Sequence, residues 1–74
     1  MNKTEFIELL RSNDINPLFF TVTANANRSL SVRAEPRFDS RRGETINYLN
    51  RRLQTVDGLN FTMYRKTIVI HSNN

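Results

Sequence analysis

Leu59-Asn60-Phe61-Thr62-Met63-Tyr64-Arg65-Lys66-Thr67-Ile68-Val69-Ile70-His71-Ser72 is the stretch on which the fold turns. Its apolar side chains fall at odd positions in Leu59, Phe61 and Met63 and at even positions in Ile68 and Ile70. A strand alternates its faces with a period of two, so one straight strand would send the two sets to opposite sides. A turn at Arg65-Lys66 removes the conflict, setting Met63 opposite Ile68 and Phe61 opposite Ile70 on one apolar face. Thr62 then faces Val69, and Asn60 faces His71, on the other side. Neither turn residue is the glycine or asparagine that a primed turn prefers, which leaves a longer or bulged loop as the alternative. Asn73 and Asn74 are expected to fray.

The segment before this hairpin, Asp39 to Val56 (DSRRGETINYLNRRLQTV), reads as an amphipathic helix. Ile46, Leu49, Leu53 and Val56 recur at helical spacing and form one stripe to be buried. Asp39 or Ser40 is the expected cap, Gly43 a weak spot in the first turn, and Asp57-Gly58 the stop. Arg41, Tyr48 and Arg52 fall in a neighbouring sector of the helix.

Upstream the pattern repeats. Residues 2 to 13 read as a first helix, with Asn2 and Glu5 spaced as a capping box, an apolar face of Phe6, Ile7, Leu9 and Leu10, and Asn13 closing it. Asp14 to Pro17 is a connector, because the residue before proline is pushed out of the helical region. From Leu18 the period becomes two, with Leu18, Phe20, Val22 and Ala24 inward; a second run, Ser29 to Glu35, places Leu30, Val32 and Ala34 inward. A three-residue loop, Asn25-Ala26-Asn27 with Asn27 left-handed, pairs Val22 with Leu30 and Phe20 with Val32. It also sets Phe19 opposite Arg33 and Thr21 opposite Ser31 on the exposed face. Glu5, Ile7 and Leu10 echo Glu44, Ile46 and Leu49, and LFFTV at 18 to 22 echoes LNFTM at 59 to 63, as an αββ duplication would. The expected fold is α+β, a two-layer αββαββ sandwich: a four-stranded, mainly antiparallel sheet with two helices on one face.

At 74 residues the chain reads as a single domain with a small core. No cysteine is present, so neither disulfides nor thiolate metal sites are expected, and a reducing, cytoplasmic setting fits. The longest apolar runs are far short of the roughly 18 residues that span a bilayer, so no membrane association is expected. Glu5 and Glu8 interrupt the apolar core that a signal peptide needs, so export by that route is not expected either. The net charge of +4 is uneven: residues 1 to 27 carry two basic and three acidic side chains, and residues 28 to 74 nine basic and four acidic. Nine of the eleven basic residues are arginine, which suits bidentate contact with phosphate or carboxylate.

The sequence carries no phosphate-cradling glycine loop, no HxxxH pair and no close carboxylate pairing, and it calls for no cofactor, metal or small-molecule substrate. His71, the single histidine, reads as an outward strand residue. Metal-free RNA cleavage by Tyr64, Arg65, Lys66 and His71 is the one enzymatic alternative, and a non-enzymatic binding module is the main expectation. Two surfaces are candidates. One is the basic helix with Arg37, Arg41, Arg42, Tyr48, Arg51 and Arg52. The other is the exposed sheet face with Phe19, Arg33 and Tyr64, together with Arg65 and Lys66 at the turn. Aromatic rings, hydroxyls and arginines on an open sheet suit RNA or single-stranded DNA, because bases stack on rings and phosphates pair with guanidinium groups. The rival expectation is a small regulatory protein of the phage or bacterial type, which presents its arginines to an acidic protein surface and inhibits or redirects a larger machine. A homodimer that hides Phe19 and Val69 is a further use of the same sheet face.

Overall fold

The computed structural model describes residues 1 to 72 and has an α+β fold, with two helices and one four-stranded antiparallel sheet. Asn73 and Asn74 lie outside the described residues. In chain order the elements are α1 (Lys3–Ser12), β1 (Phe20–Ala24), β2 (Leu30–Ala34), α2 (Glu44–Leu53), β3 (Phe61–Tyr64) and β4 (Thr67–Ile70), with 3-10 turns at Pro17–Phe19 and Pro36–Phe38. The sheet order is β1-β2-β4-β3, so each αββ unit gives its first strand to an edge and its second to the centre. The final hairpin has the expected register, Phe61 opposite Ile70, Met63 opposite Ile68 and Thr62 opposite Val69, and the His71 amide donates to the Asn60 carbonyl at 2.8 Å. Its two-residue turn forms despite its composition, with Arg65 at φ +55°.

Helix α1 begins as its sequence dictates. The Asn2 side chain accepts from the Glu5 amide at 2.8 Å and the Glu5 carboxylate accepts from the Asn2 amide at 3.0 Å, which together are a complete capping box. Its C-terminus closes with Asp14 left-handed (φ +58°), the Ile15 amide donating to Leu10 and the Asp14 amide to Arg11. This is a Schellman motif with aspartate in the usual glycine place. The motif folds Ile15, which the sequence placed in a mere connector, back into the core.

Three expectations for the first hairpin need correction. The strand starts at Phe20, not Leu18, because Asn16 caps a 3-10 turn begun by Pro17 and its side chain accepts from the Leu18 amide at 3.0 Å. Leu18 is therefore 72% exposed. The loop is also displaced by one residue: Asn25 opposes Ser29, and Arg28 rather than Asn27 is left-handed (φ +68°). Pairing accordingly slips by two, to Val22 opposite Val32, Phe20 opposite Ala34 and Thr21 opposite Arg33. A slip of two preserves the faces, so Phe20, Val22, Leu30 and Val32 are buried as expected, while Ala34 is half-buried and Ala24, like Leu18, is exposed.

Helix α2 is shorter than expected at both ends. Arg41 and Arg42 lie in a turn closed by the Gly43 amide donating to the Ser40 carbonyl, and Ser40 Oγ accepts from the Glu44 amide at 2.8 Å. Glutamate, not arginine, therefore occupies the electropositive first turn. Gly43 is the N-cap at φ +67°, a hinge into the helix rather than a weak spot within it. A Cβ there would meet Asn47 and Ile46 at 3.8 Å, ordinary contact, so the cost of a side chain lies in the backbone. We expect Gly43→Ala to lose about 1–2 kcal/mol in urea unfolding, the cost of a left-handed L-residue.

Both helices and the sheet feed one apolar cluster: Phe6 and Leu10 from α1, Ile46, Leu49 and Leu53 from α2, Ile15, and the inward strand residues Phe20, Val22, Leu30, Val32, Ile68 and Ile70. Leu59, Phe61 and Met63 pack against it partly buried. No described helix is long and apolar enough to cross a membrane.

Candidate functional site

The sheet residues that point away from this cluster form a polar lattice. Across the four strands the register aligns Thr62, Val69, Ser31 and Thr23 in one row and Tyr64, Thr67, Arg33 and Thr21 in the next. Side-chain hydrogen bonds hold the lattice: Arg33 Nε donates to Thr67 Oγ1 at 3.0 Å, Asn25 Nδ2 to Ser31 Oγ at 2.9 Å, and Thr62 Oγ1 lies 2.8 Å from His71 Nε2. His71 is thus bonded within the face and stands apart from any other titratable partner in these bonds. A shallow depression of about 340 Å³ runs over Thr21, Thr23, Ser31, Arg33 and Thr67.

At the end of this face the β3–β4 turn rises against the exit of β2. It encloses a cleft of about 550 Å³ lined by Arg33, Ala34, Pro36, Asp39, Tyr64, Arg65, Lys66 and Thr67. Four of the sequence-derived site residues, Arg33, Tyr64, Arg65 and Lys66, are therefore brought together. Arg33, Arg65 and Lys66 form no ion pair among the described residues, where the one salt bridge is Arg37 to Glu35 at 3.3 Å. Asp39 is the only carboxylate in the lining.

The other candidates are dispersed. Arg41 and Arg42 are exposed in their turn, and Arg51 is exposed on α2, whose buried side packs on the opposite face of the sheet. Arg52 is committed to the fold: one guanidinium nitrogen donates to Tyr48 Oη at 2.8 Å and another to the Asn13 carbonyl. That second bond satisfies a carbonyl left over at the end of α1, so Arg52 ties the two helices together. The basic helix expected from the sequence is not a continuous cationic strip.

Phe19 is also displaced from its expected place. The 3-10 turn carries it off the open face and against Phe38, with ring centroids 4.7 Å apart and planes at 70°. Together with Tyr48 they line a groove of about 460 Å³ whose other walls are Asp14, Asn16, Glu44 and Thr45. Phe38 is 40% exposed and Phe19 37%. The guanidinium of Arg37 lies 5.6 Å from the Phe38 ring centre, and that of Arg52 lies 5.7 Å from the Tyr48 ring centre. Phe38, Asp14 and Glu44 escaped the sequence reading, and only the Pro36-Arg37-Phe38 turn signal could have marked the first of them.

Among the described residues no three of His, Cys, Asp and Glu come together in a way that could hold a metal ion. No protein-family model, curated protein or solved structure matches this chain.

Proposed function

We propose that this protein is a small, non-enzymatic, cytoplasmic module that binds single-stranded nucleic acid along its open sheet face, with the phosphates held in the Arg33–Arg65–Lys66 cleft. The observation that carries the proposal is the cleft itself, in which three cations converge beside an exposed Tyr64 with one carboxylate among them. Phosphates need such unpaired cations, and a base needs an accessible ring and hydroxyl groups along its path. The backbone supports the same reading. Arg65 adopts the left-handed region that glycine or asparagine would occupy without strain, so a cationic side chain stands where stability alone would not select one.

The test is a titration with single-stranded and duplex RNA and DNA at two salt concentrations, run on the native chain and on Arg65→Asn. We expect binding of single strands that weakens steeply with salt. Arg65→Asn is expected to be at least as stable, by up to about 1 kcal/mol, and to bind more weakly. Absence of binding to every oligonucleotide at low salt would end the proposal. The rival, docking onto an acidic protein surface, draws on the same cations. The exposed apolar side chains Leu18 (72%), Phe38 (40%) and Phe19 (37%) favour it, and a protein captured in place of nucleic acid would establish it.

A further inference from the structure

The aromatic groove and the basic cleft are neighbours along one short piece of chain. Ala34, Pro36 and Asp39 line the cleft, while Phe38 lines the groove, so the 3-10 turn Pro36–Phe38 is the ridge between them. Arg37 sits on that ridge with its side chain 79% exposed. A strand whose phosphates lie in the cleft can thus cross the ridge at Arg37 and place its next base in the groove.

From this arrangement, and resting on the nucleic-acid reading above, we infer that the Phe19–Phe38–Tyr48 groove is a base pocket selective for guanine. Its chemistry differs from the cleft in a way that points to a donor-rich ring. Phe19, Phe38 and Tyr48 offer flat apolar walls, and Asp14 and Glu44 add two carboxylates, which accept hydrogen bonds and donate none. A phosphate would be repelled there. A free cation is disfavoured as well, because the guanidinium groups of Arg37 and Arg52, 5.6 Å and 5.7 Å from the Phe38 and Tyr48 ring centres, already put two positive charges beside the groove. A neutral aromatic ring bearing N–H groups meets neither objection. Among the bases, guanine presents N1–H and the exocyclic amino group side by side, a pair that one carboxylate can accept together. Adenine and cytosine present the amino group beside a ring acceptor, and uracil presents one N–H flanked by two carbonyl oxygens. The carboxylates therefore grade the bases, with guanine first and uracil last.

The probe is a nine-residue oligouridine compared with the same strand carrying a single central guanosine, adenosine or cytidine. The guanosine strand is expected to bind about tenfold more tightly than oligouridine, the discrimination that a two-donor contact supplies. Glu44→Gln and Asp14→Asn, made singly and together, are expected to abolish the preference, read as the ratio of guanosine-strand to oligouridine affinity, while the loss of negative charge raises the affinity of all four strands by a common factor. Phe38→Ala should weaken the guanosine strand most. Equal affinity for all four strands would overturn the base pocket while the cleft proposal stands, as would an arginine peptide that occupies the groove without affecting oligonucleotide affinity. Binding of none would remove both.

Discussion

Replacing Arg33, Arg65 and Lys66 together by alanine is expected to weaken single-strand binding roughly a hundredfold at 50 mM salt, at about 1 kcal/mol for each exposed charge-assisted contact. The salt dependence is the more telling measurement. Each phosphate contact on a single strand contributes about 0.7 to the slope of log affinity against log salt, so losing three lowers that slope by about 2. Between 50 and 200 mM salt the native chain should therefore lose about twentyfold more affinity than the variant. All three side chains are exposed and take no part in the apolar cluster, so the cost to folding is confined to the Arg33–Thr67 hydrogen bond, about 1 kcal/mol. The matched control is the triple replacement of Arg41, Arg42 and Arg51. These arginines carry the same charge but line neither the cleft nor the groove, and only a general loss from reduced net charge is expected. Equal effects from the two triples would mean that net charge, not the cleft, drives binding.

The contrast between these two sets of cations traces what the chain's pattern does and does not encode. The final hairpin was legible because its apolar parity changes at Arg65-Lys66, and no unbroken strand can bury both Met63 and Ile68. Helix α1 was legible because the capping box is a local, chemically specific signal. The ends of α2 were not, since Gly43 in a helical pattern reads as a weak residue until its positive φ makes it the cap. The first hairpin loop misled for a related reason. Propensity assigns the left-handed place to Asn27, but Asn27 Oδ1 instead accepts from both the amide and the hydroxyl of Ser29, leaving Arg28 with the strained position. Arg52 misled because its role is tertiary. Nothing at helical spacing announces that its guanidinium will reach the carbonyl of Asn13 from 39 positions away. The candidate cleft was half legible: Arg65, Lys66 and Tyr64 are neighbours in sequence, whereas Arg33 joins them only because β2 pairs with β4.

Phe6→Ala is expected to leave the chain largely unfolded at 25 °C, and the size of the domain is the reason. A single core in a domain of this length rarely supplies more than about 3–5 kcal/mol of net stability. Phe6 is fully buried in a cluster that draws on both helices and all three of β1, β2 and β4, and removing a buried phenyl ring costs about 3–5 kcal/mol in lost transfer energy and residual cavity. The two quantities cancel, so circular dichroism should report loss of most structure without denaturant. Leu18→Ala is the comparison that separates burial from hydrophobicity. Leu18 is an equally apolar residue that the period-two pattern placed inward, yet it is 72% exposed, and its truncation should move stability by no more than about 0.5 kcal/mol. If Leu18→Ala proved as damaging as Phe6→Ala, the strand would begin at Leu18 after all, and the 3-10 turn that carries Phe19 into the groove would be wrong with it. A near-native Leu18→Ala beside an unfolded Phe6→Ala instead fixes the start of β1 at Phe20, and with it the separation of the aromatic groove from the open face.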